Sequence, residues 1–298
     1  MQINDLPESK TAYRAIPISG TIGAVVDGIL IREGIPDSEI AWIHQALTKH
    51  RVLFFRNQHA VNDAIHQDFA RKFGTIISHP TINSTADPQI LELDSHRGGR
   101  ANSWHTDLTF TLCPPKLSIL RAVQLPIYGG DTVWANTVAA YLHLPRELQA
   151  LANTLWAVHG NDFDYAASRV ELLHDDTARA YRRQYAAQTI KTEHPLVHIH
   201  PATGEKSLLL GHYAQRFVNC NTYESDRLYE IFQAHITRLE NTIRWTWAPG
   251  DVAMWDNMAT QHYAINDYGD QKRVMRRVTV AGDTPIACDG THSRAHSS

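Results

Sequence analysis

The sequence predicts a mainly β protein with flanking helices, built as a sandwich or barrel. Short strand-like runs dominate the 298 residues, and turn signals such as Pro249-Gly-Asp251 and Pro201-Ala-Thr-Gly204 punctuate them. Only a few stretches space their apolar residues at helical intervals.

In chain order, Gly20 to Gly28 reads as a strand and its turn. Asp37 to His50 opens on Asp-Ser-Glu and places Ile40, Ile43 and Leu47 on one helical face. Arg51-Val-Leu-Phe-Phe-Arg56 is a buried strand candidate, and a second helix is expected from about Asn62 to Phe73. Further strands are expected at 89–94, 117–124, 131–135, 194–200, 206–211, 242–247, 251–255 and 274–281, and helices at 145–153, 175–187 and 223–238. No repeat or linker interrupts this order, so residues 1–298 read as one domain. The ends, 1–12 and Asp289 to Ser298, lack a hydrophobic period and read as flexible.

A net charge of −3 gives no reason to expect nucleic acid or an anionic membrane as partner. Cys113, Cys220 and Cys288 are odd in number and far apart, which fits reduced thiols rather than a disulfide frame. The first residues lack the pattern of a signal peptide, and no apolar run approaches the roughly 20 residues that cross a bilayer. A soluble, cytoplasmic protein is the expectation.

With 18 histidines, a His-x-Asp triplet arises easily by chance, and there are three. His66 and Asp68 fall inside an expected helix, where positions i and i+2 diverge. His174 and Asp176 sit where a helix begins and Asp caps. His105 and Asp107 lie in an aromatic-flanked segment, and extended backbone points i and i+2 the same way. His262 follows the strand ending at Asp256, on an expected short loop. Two histidines and a carboxylate make the facial triad that holds iron(II) with open positions. The pair His198 and His200 is a rival metal motif, although it alternates like an ordinary strand beside a hairpin turn. Arg273 and Arg277 share a face of the last strand and suit an anionic ligand, or an internal ion pair.

These residues carry a resemblance. Asn102-Ser-Trp-His105-Thr-Asp107-Leu-Thr-Phe110, Gly129-Gly-Asp-Thr132-Val-Trp134, His194-Pro-Leu-Val197, Trp245 to Asn257, His262 and Met275-Arg-Arg277 occur in this order. In them the chain resembles the taurine dioxygenase (TauD/TfdA) family of iron(II)- and 2-oxoglutarate-dependent dioxygenases, particularly its alkylsulfatase branch. The resemblance spans Gly20 to about Pro285. It implies a double-stranded β-helix, or jelly roll, with Fe(II) on His105, Asp107 and His262 and with O₂ as oxidant. It implies that Thr132 and Arg273 hold 2-oxoglutarate, with Arg277 near its head or near the substrate anion. His79 and the backbone N–H of Leu108 would meet that anion, and Tyr213 is a candidate for the pocket holding its tail. Arg100 stands where taurine dioxygenases carry an acid, which favours an alkyl sulfate over an aminosulfonate, with sulfonates and aryloxyalkanoates next. The glycine-rich 96–101 loop is a candidate lid, and the family commonly forms dimers or tetramers. Two other readings remain at this point, a non-oxidative metal-dependent hydrolase and a non-catalytic binding protein. Neither would consume O₂ or 2-oxoglutarate.

Overall fold

The computed structural model describes residues 13–81, 87–97, 101–161 and 189–297. Its largest sheet forms around the expected buried strand, β3 (Val52–Phe55). On one side β3 pairs in parallel with β2 (Ala24–Asp27), which pairs with β1 (Arg14–Pro17). On the other side it pairs with β14 (Val252–Asp256), then β6 (Leu117–Gln124), then β16 (Val274–Val280). Two short strands, β4 (Ile76–Ile77) and β5 (Leu91–Asp94), complete the far edge on β16.

Both faces of this sheet are covered, so β3 is apolar throughout and β14 is apolar up to Asp256, rather than alternating. Leu53, Phe55, Val252, Met254, Ile119 and Val278 face two helices, α1 (Asp37–His50) and α2 (Asp63–Arg71), which contribute Ile43, Leu47 and Phe69. Val52, Phe54, Leu120, Ala253, Trp255 and Met275 face the other way and meet Trp134 and Trp245. Those tryptophans belong to a second sheet, in which β7 (Thr132–Asn136) pairs with β13 (Thr242–Trp245) and β15 (Thr260–Ala264). Phe54 stacks on Trp245 at 4.0 Å and meets Trp134 edge-on at 5.4 Å. Fully burying one such side chain contributes about 1.5–3 kcal/mol. The two facing sheets make the expected jelly roll.

Behind the second sheet lies a third layer. There β8 (Trp156–Gly160) pairs with β12 (Ala214–Phe217) and with β9 (Lys191–Pro195), and β10 (Val197–Ile199) pairs with β11 (Lys206–Leu208). Phe217, Leu196 and Leu208 pack there against α3 (Thr137–Leu142) and α5 (Thr222–Ile236), while α4 (Arg146–Ala152) adds Ala152. A capping box between Asn221 and Glu224 starts α5.

Three sequence expectations change here. The strand expected at 194–200 is two strands in different sheets, because Leu196 bonds to Leu155 and Leu209 as the chain crosses between them. His262 lies inside β15 rather than on a loop. The stretch from Asp289, expected to be loose, is tied in by β17 (Arg294–Ala295), which pairs with β9, and by Arg294 and His296 on Glu193. The helix expected at 175–187 lies outside the described residues.

Candidate active site

His105 and His262 are direct partners across an isolated antiparallel bridge, exchanging N–H···O bonds of 3.0 and 2.8 Å. Residues so paired point to the same face, and their rings stand 4.0 Å apart. Two residues on from His105 in extended chain, Asp107 reaches the same point. Its Oδ1 lies 3.7 Å from His105 Nε2 and 3.8 Å from His262 Nε2. The three donors fall within 4.8 Å of one another, and no other such group occurs among the described residues.

Each ligand is held from behind. The His105 Nδ1–H donates to the Ser103 carbonyl at 2.8 Å, which makes Nε2 the lone-pair nitrogen that a metal could take. Packing fixes His262 instead, with Trp255 at 4.8 Å and Trp134 stacked at 6.5 Å. Ser118 donates to Asp107 Oδ2 at 2.8 Å, while Asn257 accepts from the Asp107 N–H and donates to its carbonyl. Burial works to raise the Asp107 pKa, but the cation of Arg277 and the two imidazoles outweigh it and hold it at about 2. Burial pushes His262 down to about 4 and His105 well below the usual imidazole value. The site thus offers two neutral imidazoles and a carboxylate at neutral pH, the donor set iron(II) accepts.

Beside this cluster Arg273 is buried, only 4% exposed. Its Nε donates to the Gly130 carbonyl at 3.0 Å and its Nη2 approaches Thr132 Oγ1 at 3.4 Å. Thr132 Oγ1 also accepts from Trp247 Nε1 at 3.0 Å. Gly130 has φ +72, and a Cβ there would sit 3.0 Å from Arg273 Cδ. No carboxylate pairs with Arg273 among the described residues, which is costly for a buried cation unless a ligand supplies the anion. The acidic end of 2-oxoglutarate fits that need.

Arg277 takes the internal ion pair, donating from Nη1 to Asp107 Oδ1, with both partners buried. Its Nε has no partner among the described residues. His79 lies close enough to both for their charges to act on it; burial first, then Arg277, lowers its pKa to about 3. Its Nδ1 faces the Thr81 N–H and hydroxyl, each at 3.3 Å. Leu108 has φ 53, and its N–H meets no acceptor among the described residues. Leu108, Phe110 and Tyr213 form an apolar wall with Ile77 and Ile190, and the Tyr213 ring stands edge-on to His105 at 6.2 Å. Arg100 and residues 98–99 of the candidate lid lie outside the described residues.

His174 and Asp176 lie outside the described residues, and the other histidine candidates have structural roles. His66 is buried in α2 with Nε2 on the Ile119 carbonyl, while Asp68 pairs with Arg71 at the surface. His198 Nε2 bonds to the Met258 carbonyl, and His200 Nε2 to Asp256 Oδ2. Sequence reading missed Ser118, Asn257 and Gly130, which set the ligands and the arginine in place. Asn257 had a visible signal, the second of two polar residues that end the apolar run Val252 to Trp255; Ser118 had none beyond interrupting another such run.

Comparison with known proteins gives concordant matches. The model of the family described as taurine catabolism dioxygenase TauD, TfdA family matches residues 14–279. An alpha-ketoglutarate-dependent sulfate ester dioxygenase of Pseudomonas putida is 46% identical over 281 residues, covering 93% of this chain and 92% of that protein. An alkylsulfatase of Acinetobacter baylyi is 46% identical over 274 residues, covering 92% and 86%. The solved structure of a taurine dioxygenase from Burkholderia xenovorans superposes with a TM-score of 0.81 at 34% identity, covering 97% and 96%.

Proposed function

The chain belongs to the TauD/TfdA family of Fe(II)- and 2-oxoglutarate-dependent dioxygenases, and on that premise we propose that it hydroxylates an alkyl sulfate and so releases sulfate. The observation that carries the proposal is the convergence of His105, Asp107 and His262 beside the buried guanidinium of Arg273. The 46% identity to a sulfate ester dioxygenase and to an alkylsulfatase supports the substrate class.

In this reading His105 Nε2, Asp107 Oδ1 and His262 Nε2 hold the iron. Arg273 and Thr132 receive the distal carboxylate of 2-oxoglutarate, with Trp247 orienting the threonine hydroxyl. Iron(II) bound there with 2-oxoglutarate would supply O₂-dependent hydroxylation of a substrate C–H bond, with succinate and CO₂ as the co-products. Arg277, His79 and the Leu108 N–H meet the sulfate, placing its neighbouring carbon toward the ligand cluster. The wall of Leu108, Phe110 and Tyr213 takes the alkyl tail and excludes water. Hydroxylated carbon carrying a sulfate ester then collapses. The hydroxyl loses its proton, a C=O bond forms, and the C–O bond to sulfate breaks with its electron pair on the leaving group.

The test is anaerobic addition of Fe(II) and 2-oxoglutarate, followed by an alkyl sulfate, with the visible charge-transfer band recorded. A band that shifts with the sulfate ester, and equal release of succinate and sulfate once air is admitted, is the expected result. Sulfate release without O₂ or 2-oxoglutarate would instead identify a hydrolase. A dimeric or tetrameric cytoplasmic enzyme completes the reading, and the solution mass tests the copy number.

A further inference from the structure

The turn that follows Asp107 is pinned at every carbonyl. The Leu108 carbonyl accepts from the Thr111 N–H at 3.0 Å and its hydroxyl at 2.8 Å. The Thr109 and Thr111 carbonyls lie 2.7 and 3.2 Å from His194 Nε2, and the Phe110 carbonyl accepts from Thr192 Oγ1 at 2.8 Å. Thr109 Oγ1 in turn meets His159 Nδ1 at 2.9 Å, and the His159 and His194 rings pack edge-on at 5.1 Å. Carbonyls only accept, so His194 Nε2 carries the proton and Nδ1 must accept. Its partner is the Ser293 hydroxyl, 2.7 Å away, whose single proton is shared between this nitrogen and the Pro285 carbonyl at 3.1 Å. Burial keeps this imidazole neutral, lowering its pKa to about 4.

From this arrangement we infer that His194 is a positioning residue for substrate. With Thr192, it fixes the 108–111 turn so that the Leu108 N–H and the Phe110 ring stand ready for the anion and its tail. His194 sits fully buried on β9, in another layer from the ligand strands, and its side-chain hydrogen bonds among the described residues go to Thr109, Thr111 and Ser293. Its influence therefore falls on the substrate half of the site and leaves the 2-oxoglutarate half, built on β7 and Arg273, unchanged. The inference rests on the alkyl sulfate reading for its kinetic consequence only. The mechanical part, a turn stiffened by His194, stands independently.

The experiment compares the full chain with His194→Leu and His194→Gln in two ways. Hydrogen exchange over residues 106–112 reads the turn, with the Thr111 N–H as the protected amide. Anaerobic titrations of the Fe(II)-loaded protein with 2-oxoglutarate, then with hexyl sulfate, read the two halves of the site. In His194→Leu, exchange accelerates roughly tenfold or more, and the hexyl sulfate midpoint rises about tenfold, as for one hydrogen bond lost. The 2-oxoglutarate midpoint stays within about twofold, and His194→Gln, which keeps an N–H, falls between the two proteins. Unchanged exchange in the turn overturns the inference, as does a 2-oxoglutarate midpoint that rises as far as the hexyl sulfate midpoint. If the unsubstituted chain itself ignores hexyl sulfate, the substrate reading fails and the exchange result still decides the role of His194. Should His194→Leu not fold, Thr192→Val removes only the Phe110 contact, with the same directions expected.

Discussion

Arg273 is a buried cation whose nearest partners are a carbonyl and a hydroxyl, not a carboxylate. Replacing it with alanine removes the proposed charge-assisted contact to 2-oxoglutarate, worth about 1.5–3 kcal/mol. The 2-oxoglutarate midpoint should rise ten- to a hundredfold, roughly, while the alkyl sulfate midpoint moves little; equal movement of both would refute the assignment. Gly130→Ala should act through the same arginine. Its φ of +72 strains an L-residue and its Cβ would meet Arg273 Cδ, so titration should show weaker 2-oxoglutarate binding in a protein of unchanged circular dichroism. At this scale the sequence was legible for charge and donor type. It could not show that Arg277 pairs with Asp107, because the two are separated by most of the chain.

Among the elements, α1 and β6 match their sequence expectation residue for residue, because α1 carries a clear helical period and β6 is a mostly apolar run that follows Pro114-Pro115 and ends before Pro126. β15 was invisible because Thr-Gln-His-Tyr-Ala looks polar. It is a strand because β7 pairs with it along its whole length, His105 bridges to His262, and its polar groups find partners, as Thr260 does on Asp256. Between β14 and β15, Asn257 bonds to Asp107 on both sides and to the Pro115 carbonyl. Asn257→Ala orphans three buried backbone groups, each costing about 1–3 kcal/mol where water cannot replace the bond. Urea unfolding should show a loss of at least about 2 kcal/mol, and an iron titration should show weaker binding. An unaltered iron affinity would mean that Ser118 and Arg277 suffice to place the carboxylate.

Across the whole molecule the jelly roll followed from the resemblance, while composition alone reached only a sandwich or barrel. The third layer was the least legible part, since β8 and β12 have little pattern of their own. Neutral imidazoles are buried in more than one layer of the molecule. Burial lowers His66 to about 3, and His194 and His198 to about 4. Each binds a proton more readily once unfolded, where its pKa is about 6.5. Stability is therefore complete above about pH 6.5 and declines as pH falls toward 4, by up to about 1.4 kcal/mol per pH unit for each group. Urea midpoints at pH 7.5, 6 and 5 should fall in that order; a flat series would show that these imidazoles stay solvated. The pairing of Arg277 with Asp107 has one more effect, on which molecules settle beside the iron. Two guanidiniums against one carboxylate leave the metal-free chamber one positive charge in excess. Iron(II) makes the excess three, a 2-oxoglutarate dianion reduces it to one, and a singly charged sulfate ester cancels it. A zwitterionic aminosulfonate would leave that last charge uncompensated, so the set Arg273, Arg277 and Asp107 is balanced by a plain monoanion as the third guest.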